Sequence, residues 1–269
     1  MVELPQTKPR RVEYPESDGQ PMSESDITRD YLVYCVEALR LFFQSRPQVY
    51  VSGNLFIYYK EGDASKSLSP DVFVVFGVSK RDRRTYKVWQ EGGKVPSFVL
   101  EITSKTTKRN DEEVKPQLYA KLGILEYFQY DPSGDYLNPP LKGQRLVEGQ
   151  YISMEPQTLP DGTLSLSSQT LGVDLRLLSS DTQVNVGLSS VSRLLRLFDP
   201  QTGAQLLTYR EAEQARQDAE QARQDAEQAR QDAEQVATEE RERAESSEQQ
   251  LATLLEKLKA QGLNPDQFL

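Results

Sequence analysis

A chain of 269 residues with 37 % hydrophobic residues, net charge −9 and no histidine is long enough for one globular body plus an appendage. The absent imidazole excludes Ser-His-Asp triads, Cys-His dyads and histidine-ligated zinc or iron. Cys35 is the single cysteine, so an intrachain disulfide, a thiolate zinc site and redox chemistry drop out as well.

Catalysis therefore has to run on carboxylates, lysines, tyrosines, hydroxyls and a hard metal bound through oxygen. No apolar run has the length that crosses a bilayer. The N-terminal stretch MVELPQTKPRRVEYPESDGQPM lacks the apolar centre of a signal peptide, and a cytoplasmic protein with a flexible leader at 1–22 is expected. The charge is uneven: residues 201–269 carry 8 basic and 15 acidic side chains, net −7, against 24 and 26, net −2, in residues 1–200. The near-neutral body can host a basic patch, for which Lys80, Arg81, Arg83, Arg84 and Lys87 are the candidates. A solvated loop between strands accounts for the same cluster.

In chain order, Ile27, Tyr31, Tyr34, Cys35, Ala38, Leu41 and Phe42 recur at three- and four-residue steps and predict an amphipathic helix over 25–46, with Ser23 or Ser25 to cap it. VYVSGNLFIYY (49–59), PDVFVVFGV (70–78) and SFVLEIT (97–103) are rich in β-branched and aromatic residues and predict strands. A helix is expected over 111–122, with Pro116 early enough to be tolerated and Gly123 at the stop. EYFQYDP (126–132) predicts a strand, and shorter ones are expected at 144–153, 163–177 and 191–198, followed by a QTGAQ turn. The order describes an α/β body with a sheet covered by helices.

From Ala212 the segment AEQARQD occurs three times and a fourth copy begins, placing alanines at 212, 215, 219, 222, 226, 229 and 233, the two core positions of a heptad. The register shifts after Ala233, a stutter. A long helix over 210–262 is expected, with a flexible end at 263–269. Alanine buries little area, whereas Leu251, Leu254, Leu255 and Leu258 can clamp the far end. A homodimer or other homo-oligomer formed through this tail, and an exposed arm with no fixed partner, are the two alternatives. The tail's acidity argues against DNA binding by the tail itself.

Glu101 stands between Leu100 and Ile102 in a strand pattern that is otherwise apolar. A buried carboxylate is costly unless a cation or a donor meets it. Asp71, after Pro70 at the head of the preceding strand, lies at the sheet's rim; if the two strands are neighbours, the two acids converge on one cation. Two carboxylates plus waters suit Mg²⁺. Asp111, Lys115 and Tyr119 stand four apart on one helical face, and Lys115 is placed to offer fixed positive charge to phosphoryl chemistry. Each feature also has a plain structural explanation: a turn for Pro-Asp, a salt-bridged strand residue for Glu101, a helix cap for Asp111.

Taken together, SPDVFVV (69–75), FVLEITSKTT (98–107), DEEVKPQLYAKLGILEYFQYDP (111–132), the upstream YPESDGQPMSESDITRDYL (14–32) and the downstream LRLFDPQTG (195–203) resemble the Uma-two family of restriction endonucleases, common in cyanobacteria and part of the PD-(D/E)XK nuclease superfamily. The resemblance spans most of residues 14–205. It implies an α/β restriction-endonuclease-like domain over 23–209, with an αβββαβ core, a mixed sheet and extra C-terminal strands. It also implies Mg²⁺ or Mn²⁺ held by Asp71 and Glu101, and hydrolysis of DNA. The chain departs from the superfamily at Thr103, which stands where the lysine is expected. The resemblance makes Lys115 the substitute and Lys105 the runner-up, leaves Glu24 as an additional ligand candidate, and puts Thr28 where relatives often carry histidine.

Arg81, Arg83 and Arg84 in RDRRTYKVW (81–89) are the candidates for phosphate contact. Two alternatives stand beside a DNA endonuclease. One is a catalytically weak or inactive nuclease-fold scaffold or DNA-binding module; the other is hydrolysis of RNA or small phosphoesters.

Overall fold

The computed structural model describes residues 12–17, 25–104, 107–179 and 193–260. The chain divides into two units, Met1–Tyr209 and Arg210–Leu269. In the first, helix α1 (Asp26–Phe42) is followed by β1 (Val49–Ser52), β2 (Ile57–Tyr58), β3 (Ser67–Leu68), β4 (Val72–Phe76), β5 (Tyr86–Lys87) and β6 (Phe98–Ile102). Helix α2 (Lys115–Leu122) then precedes β7 (Glu126–Tyr130), β8 (Leu141–Val147), β9 (Gln150–Ser153), β10 (Gln157–Thr158), β11 (Leu164–Ser168), β12 (Val173–Ser179) and β13 (Arg193–Phe198). Helix α3 (Tyr209–Ala260) supplies the second unit.

The central sheet has the order β1-β4-β6-β7-β8-β9. Only β6 and β7 pair in parallel; the other four pairings are antiparallel. Parallel neighbours need a crossover, and the segment carrying α2 is that crossover. The result is a mixed α/β fold of restriction-endonuclease-like type, with extra C-terminal strands and a long C-terminal helix.

The inner strands are covered on both sides, which is why VFVVF and FVLEI read as nearly unbroken apolar runs. Alternation still sorts their side chains. Val72, Val74, Phe98, Leu100 and Ile102 pack with α1 and a second sheet, β10-β11-β12-β13. Phe73, Val75, Val99 and Tyr127 face Tyr119 of α2 and residues of the small sheet β3-β2-β5. Glu101 shares parity with Val99, so its carboxyl enters the layer on the α2 side.

Helix α1 starts where Ser25 Oγ accepts from Thr28 N at 3.2 Å and lies 2.9 Å from Thr28 Oγ1, the arrangement of a helix cap. Thr28 thus serves the cap. Tyr34 of α1 is buried and bridges two backbone groups far along the chain: its hydroxyl donates to Leu206 O at 3.0 Å and accepts from Leu197 N at 2.9 Å.

The strand expected over 49–59 is broken, because a Cβ on Gly53 would stand 2.2 Å from Asp71 O. The chain leaves the sheet there. Asn54 takes a left-handed φ of 46° while its N–H donates to Pro70 O at 3.0 Å, and the strand pattern resumes as β2 in the small sheet. Likewise 144–153 is a hairpin, β8–β9, turning at Glu148 and Gly149, both at positive φ. Of the N-terminal stretch, Tyr14 packs on Tyr58 and Trp89 with ring centroids 5.0 and 5.1 Å away, and Tyr58 Oη donates to Pro15 O at 2.6 Å.

Tyr34→Phe is expected to lower folding stability by about 1–3 kcal/mol, because Leu206 O and Leu197 N would be left buried without their partner. Urea unfolding followed by circular dichroism measures the change.

Candidate active site

The site forms where β4 begins and β6 ends. Antiparallel pairing aligns Val72 with Leu100, so Asp71 and Glu101 are the next residues along the ladder. Their contacts are mutual: Ile102 N donates to Asp71 Oδ2 at 2.7 Å, and Asp71 N donates to Glu101 Oε2 at 3.3 Å. Glu101 is fully buried. The two acids expected to meet from neighbouring strands are therefore in contact through each other's backbone.

Helix α2 and the turn before it complete the cluster. Lys115 Nζ lies 2.9 Å from Glu101 Oε2 and 2.7 Å from Asp111 Oδ1, and Tyr119 Oη donates to Glu101 Oε1 at 2.6 Å. Asp111 is also fully buried. Its contact with Lys115 is ionic; neither of its carboxylate oxygens accepts a directed hydrogen bond within the protein.

A π-helical turn, Asn110–Val114, leads into α2, with Lys115 N bonded back to Asn110 O. In that wide register the next N–H would belong to residue 116 and would reach the carbonyl of Asp111, but Pro116 has no N–H. Tyr127 Oη fills the gap by donating to Asp111 O at 2.8 Å. The proline and the wide turn thus hold Asp111 over β7 while Lys115 and Tyr119 reach Glu101.

The electrostatics are set by burial. Desolvation pushes the Asp71 carboxyl well above its ordinary value, and the neighbouring Glu101 pushes it further; the Ile102 amide and Lys115 offset this only in part. Desolvation also raises Glu101, against the opposing pull of Lys115. Burial works against the Lys115 ammonium, yet Glu101 and Asp111 outweigh it and hold that group above its usual pKa. Desolvation, then Glu101, keep the Tyr119 phenol protonated far beyond neutral pH.

Whether these residues suit a divalent cation can be judged from the donor set. Asp71 and Glu101 are adjacent acids in a dry site with one ammonium close by, and a cation would relieve the desolvation and repulsion that disfavour their ionised forms. Among the described residues no group of three or more histidine, cysteine or acidic side chains is arranged to hold a metal. Two carboxylates fit an ion that keeps several of its waters, as Mg²⁺ does.

Gln129, missed in the sequence, belongs to the same neighbourhood. It is the register partner of Glu101 across the parallel β6–β7 pair, it is buried, and its Nε2 has no protein partner. Thr103 Oγ1, just beyond the end of β6, is likewise buried and unpartnered. The signal was present in EYFQYDP, where a glutamine interrupts an apolar strand just as Glu101 does.

The arginine cluster lies elsewhere. Arg83 stacks over Tyr50 at 4.2 Å, and Tyr50 pairs with Val75 near the far end of β4 from Asp71. Glu91 takes both Arg81, at 2.6 Å, and Arg83, at 2.9 Å, while Arg84 contacts Glu16 at 3.2 Å. All three have carboxylate partners within the chain, and Arg83 is almost completely buried. Glu24 and Lys105 lie outside the described residues.

The central strands of the mixed sheet thus bring Asp71 and Glu101 together beside a helix-borne lysine. The family model Uma2, described as "Putative restriction endonuclease", matches residues 1–178, and the chain belongs to that family. No curated protein shows significant similarity to the chain. Among the described residues no helix is long and apolar enough to cross a membrane.

A carboxyl raised in the folded state binds protons there that the unfolded chain has already lost. Its contribution is favourable at low pH and declines as pH rises above the ordinary aspartate value of 3.8. In chelator, Asp71→Asn, which cannot ionise, should gain stability relative to wild type between pH 4 and pH 8. Parallel denaturant titrations across that range measure it, and an advantage that shrinks with rising pH would contradict the assignment.

Proposed function

We propose that the protein is a Mg²⁺- or Mn²⁺-dependent endonuclease that hydrolyses DNA phosphodiester bonds at the Asp71, Glu101 and Lys115 cluster. The observation that carries this reading is the mutual contact of Asp71 and Glu101 on adjacent strands, with the Lys115 ammonium 2.9 Å from Glu101. Membership of a restriction endonuclease family makes DNA the first substrate to test.

Asp71 and Glu101 would hold the cation. When bound, it supplies Lewis-acid activation of water and positive charge beside the phosphate.

The chain's own groups do the remaining work. Lys115 keeps its proton because two carboxylates face it, so it acts as a fixed positive charge toward the phosphorane oxygens rather than as a base. It comes from a helix instead of from position 103, yet it reaches Glu101 directly. Tyr119 stays protonated and donates to Glu101 Oε1, which fixes the rotamer of that carboxylate and directs its other oxygen toward Lys115 and the Asp71 backbone. Glu101 is fully buried and Asp71 beside it is half-buried.

Purified protein with plasmid DNA should nick in Mg²⁺ or Mn²⁺ and not in EDTA. Tyr119→Phe, which removes one orienting bond, should cost about 10–100-fold in rate, and Asp71→Asn or Glu101→Gln should cost more than that. Residual cleavage in the two acid variants equal to wild type would refute the assignment. Calorimetric silence toward both metals at millimolar concentration, together with no cleavage, would favour a nuclease-fold scaffold.

A further inference from the structure

We propose that α3 is one strand of a parallel, in-register coiled coil formed with a second copy of this chain. The proposal rests on the charges that flank its repeat and is independent of the nuclease reading.

With Ala212 at position a and Ala215 at position d, the repeat AEQARQD fixes the remaining positions. Arg216, Arg223 and Arg230 occupy e, and Glu211, Asp218, Asp225 and Asp232 occupy g. Residues at e and g border the seam and decide partner and orientation. In a parallel pair each g residue meets the e residue five positions further along the partner. Asp218 then faces Arg223 of the second copy and Asp225 faces Arg230, and the twofold axis repeats both pairs. An antiparallel pair would instead set aspartate against aspartate and arginine against arginine. The chain's own sequence is therefore complementary to itself in one orientation and repulsive in the other.

The helix by itself leaves these flanks incompletely used. Arg216, Arg223 and Arg230 each contact a glutamate three residues back at 2.9 Å. Asp218, Asp225 and Asp232 each accept only from the glutamine four residues back, at 2.8 Å. Exposed intrahelical pairs of this kind contribute little, so exchanging them for pairs across a seam costs little.

The repeat's alanines bury small areas, and the apolar weight lies beyond the stutter. There Leu251, Leu254 and Leu258 fall at successive a, d and a positions, and Leu251 and Leu254 are 59 % and 58 % exposed on the lone helix. No residue of the 52-residue helix is buried. Charge pattern along one half and leucines at the other end thus call for the same occupant, an identical helix in register.

The full-length chain, by light scattering, should have twice its 30.6 kDa mass. Under mild oxidation, Ala219→Cys and Leu251→Cys, made separately, should each cross-link to themselves, while Gln224→Cys on the outer face should not. Cys35 is fully buried and leaves wild type as the uncrosslinked control.

A double variant Asp218→Arg/Asp225→Arg, which sets arginine against Arg223 and Arg230 of the partner, should weaken self-association at least tenfold. So should Arg223→Asp/Arg230→Asp, which sets aspartate against Asp218 and Asp225 of the partner, and mixing the two variants should restore pairing. A monomeric mass overturns the proposal, as does a dimer indifferent to both charge variants. A cross-link at one of positions 219 and 251 without the other overturns the in-register alignment.

Discussion

The body of this protein is organised around one cost: a carboxylate set into a strand that is covered on both faces. Glu101 is tolerable there because three groups converge on it. Lys115 supplies the charge, Tyr119 and the Asp71 amide supply donors, and Asp71 itself is tied back by the Ile102 amide. Removing one partner from such a buried arrangement is expensive, whereas an apolar replacement of the whole set is often neutral. A cluster that a hydrocarbon side chain could replace without loss of stability is hard to explain by stability, and chemistry is the simpler reason for it.

The geometry also brings a positive charge to the two acids without a lysine on their strands. Thr103 stands just beyond the end of β6, and the charge arrives from α2, whose first residue is Lys115. The crossover that makes β6 and β7 parallel is the segment that carries the cation, so topology and electrostatics are joined in a single connection. Gln129 lies on β7 directly across from Glu101, extending the polar neighbourhood one strand further than carboxylates alone would suggest.

Much of this was legible in the residues. The 3.6-residue stripe of α1, the β-branched runs of β4 and β6 and the glycine stop at Gly123, with φ 79°, are local signals, and local signals survive into the fold. Glu101 stood out because it interrupts an apolar strand, Asp71 because it follows Pro70 at a strand head, and Lys115 because it stands four residues from Asp111 and from Tyr119. What escaped was non-local. The break after β1 depends on a close approach between Gly53 and Asp71, 18 positions apart in the chain, and the burial of Arg83 depends on Glu91 and Tyr50. The run RDRRTYKVW shows its positive charges in the sequence but not Glu91 and Glu16, the acids that meet them in the fold. Gln129 passed unnoticed because a single amide in a strand carries no charge to draw attention.

The π-helical turn ahead of α2 makes the site sensitive to chain length as well as to composition. A turn of that kind accommodates one residue more than the regular helix would. Deleting a single residue between Asp111 and Lys115 would close the turn to the regular register and cut their spacing from four residues to three, moving the Asp111 carbonyl that Tyr127 holds relative to Lys115 although neither side chain was lost. Homologous chains that keep this chemistry should therefore vary freely in the outer loops while holding the spacing between the β6 glutamate and the helix lysine constant.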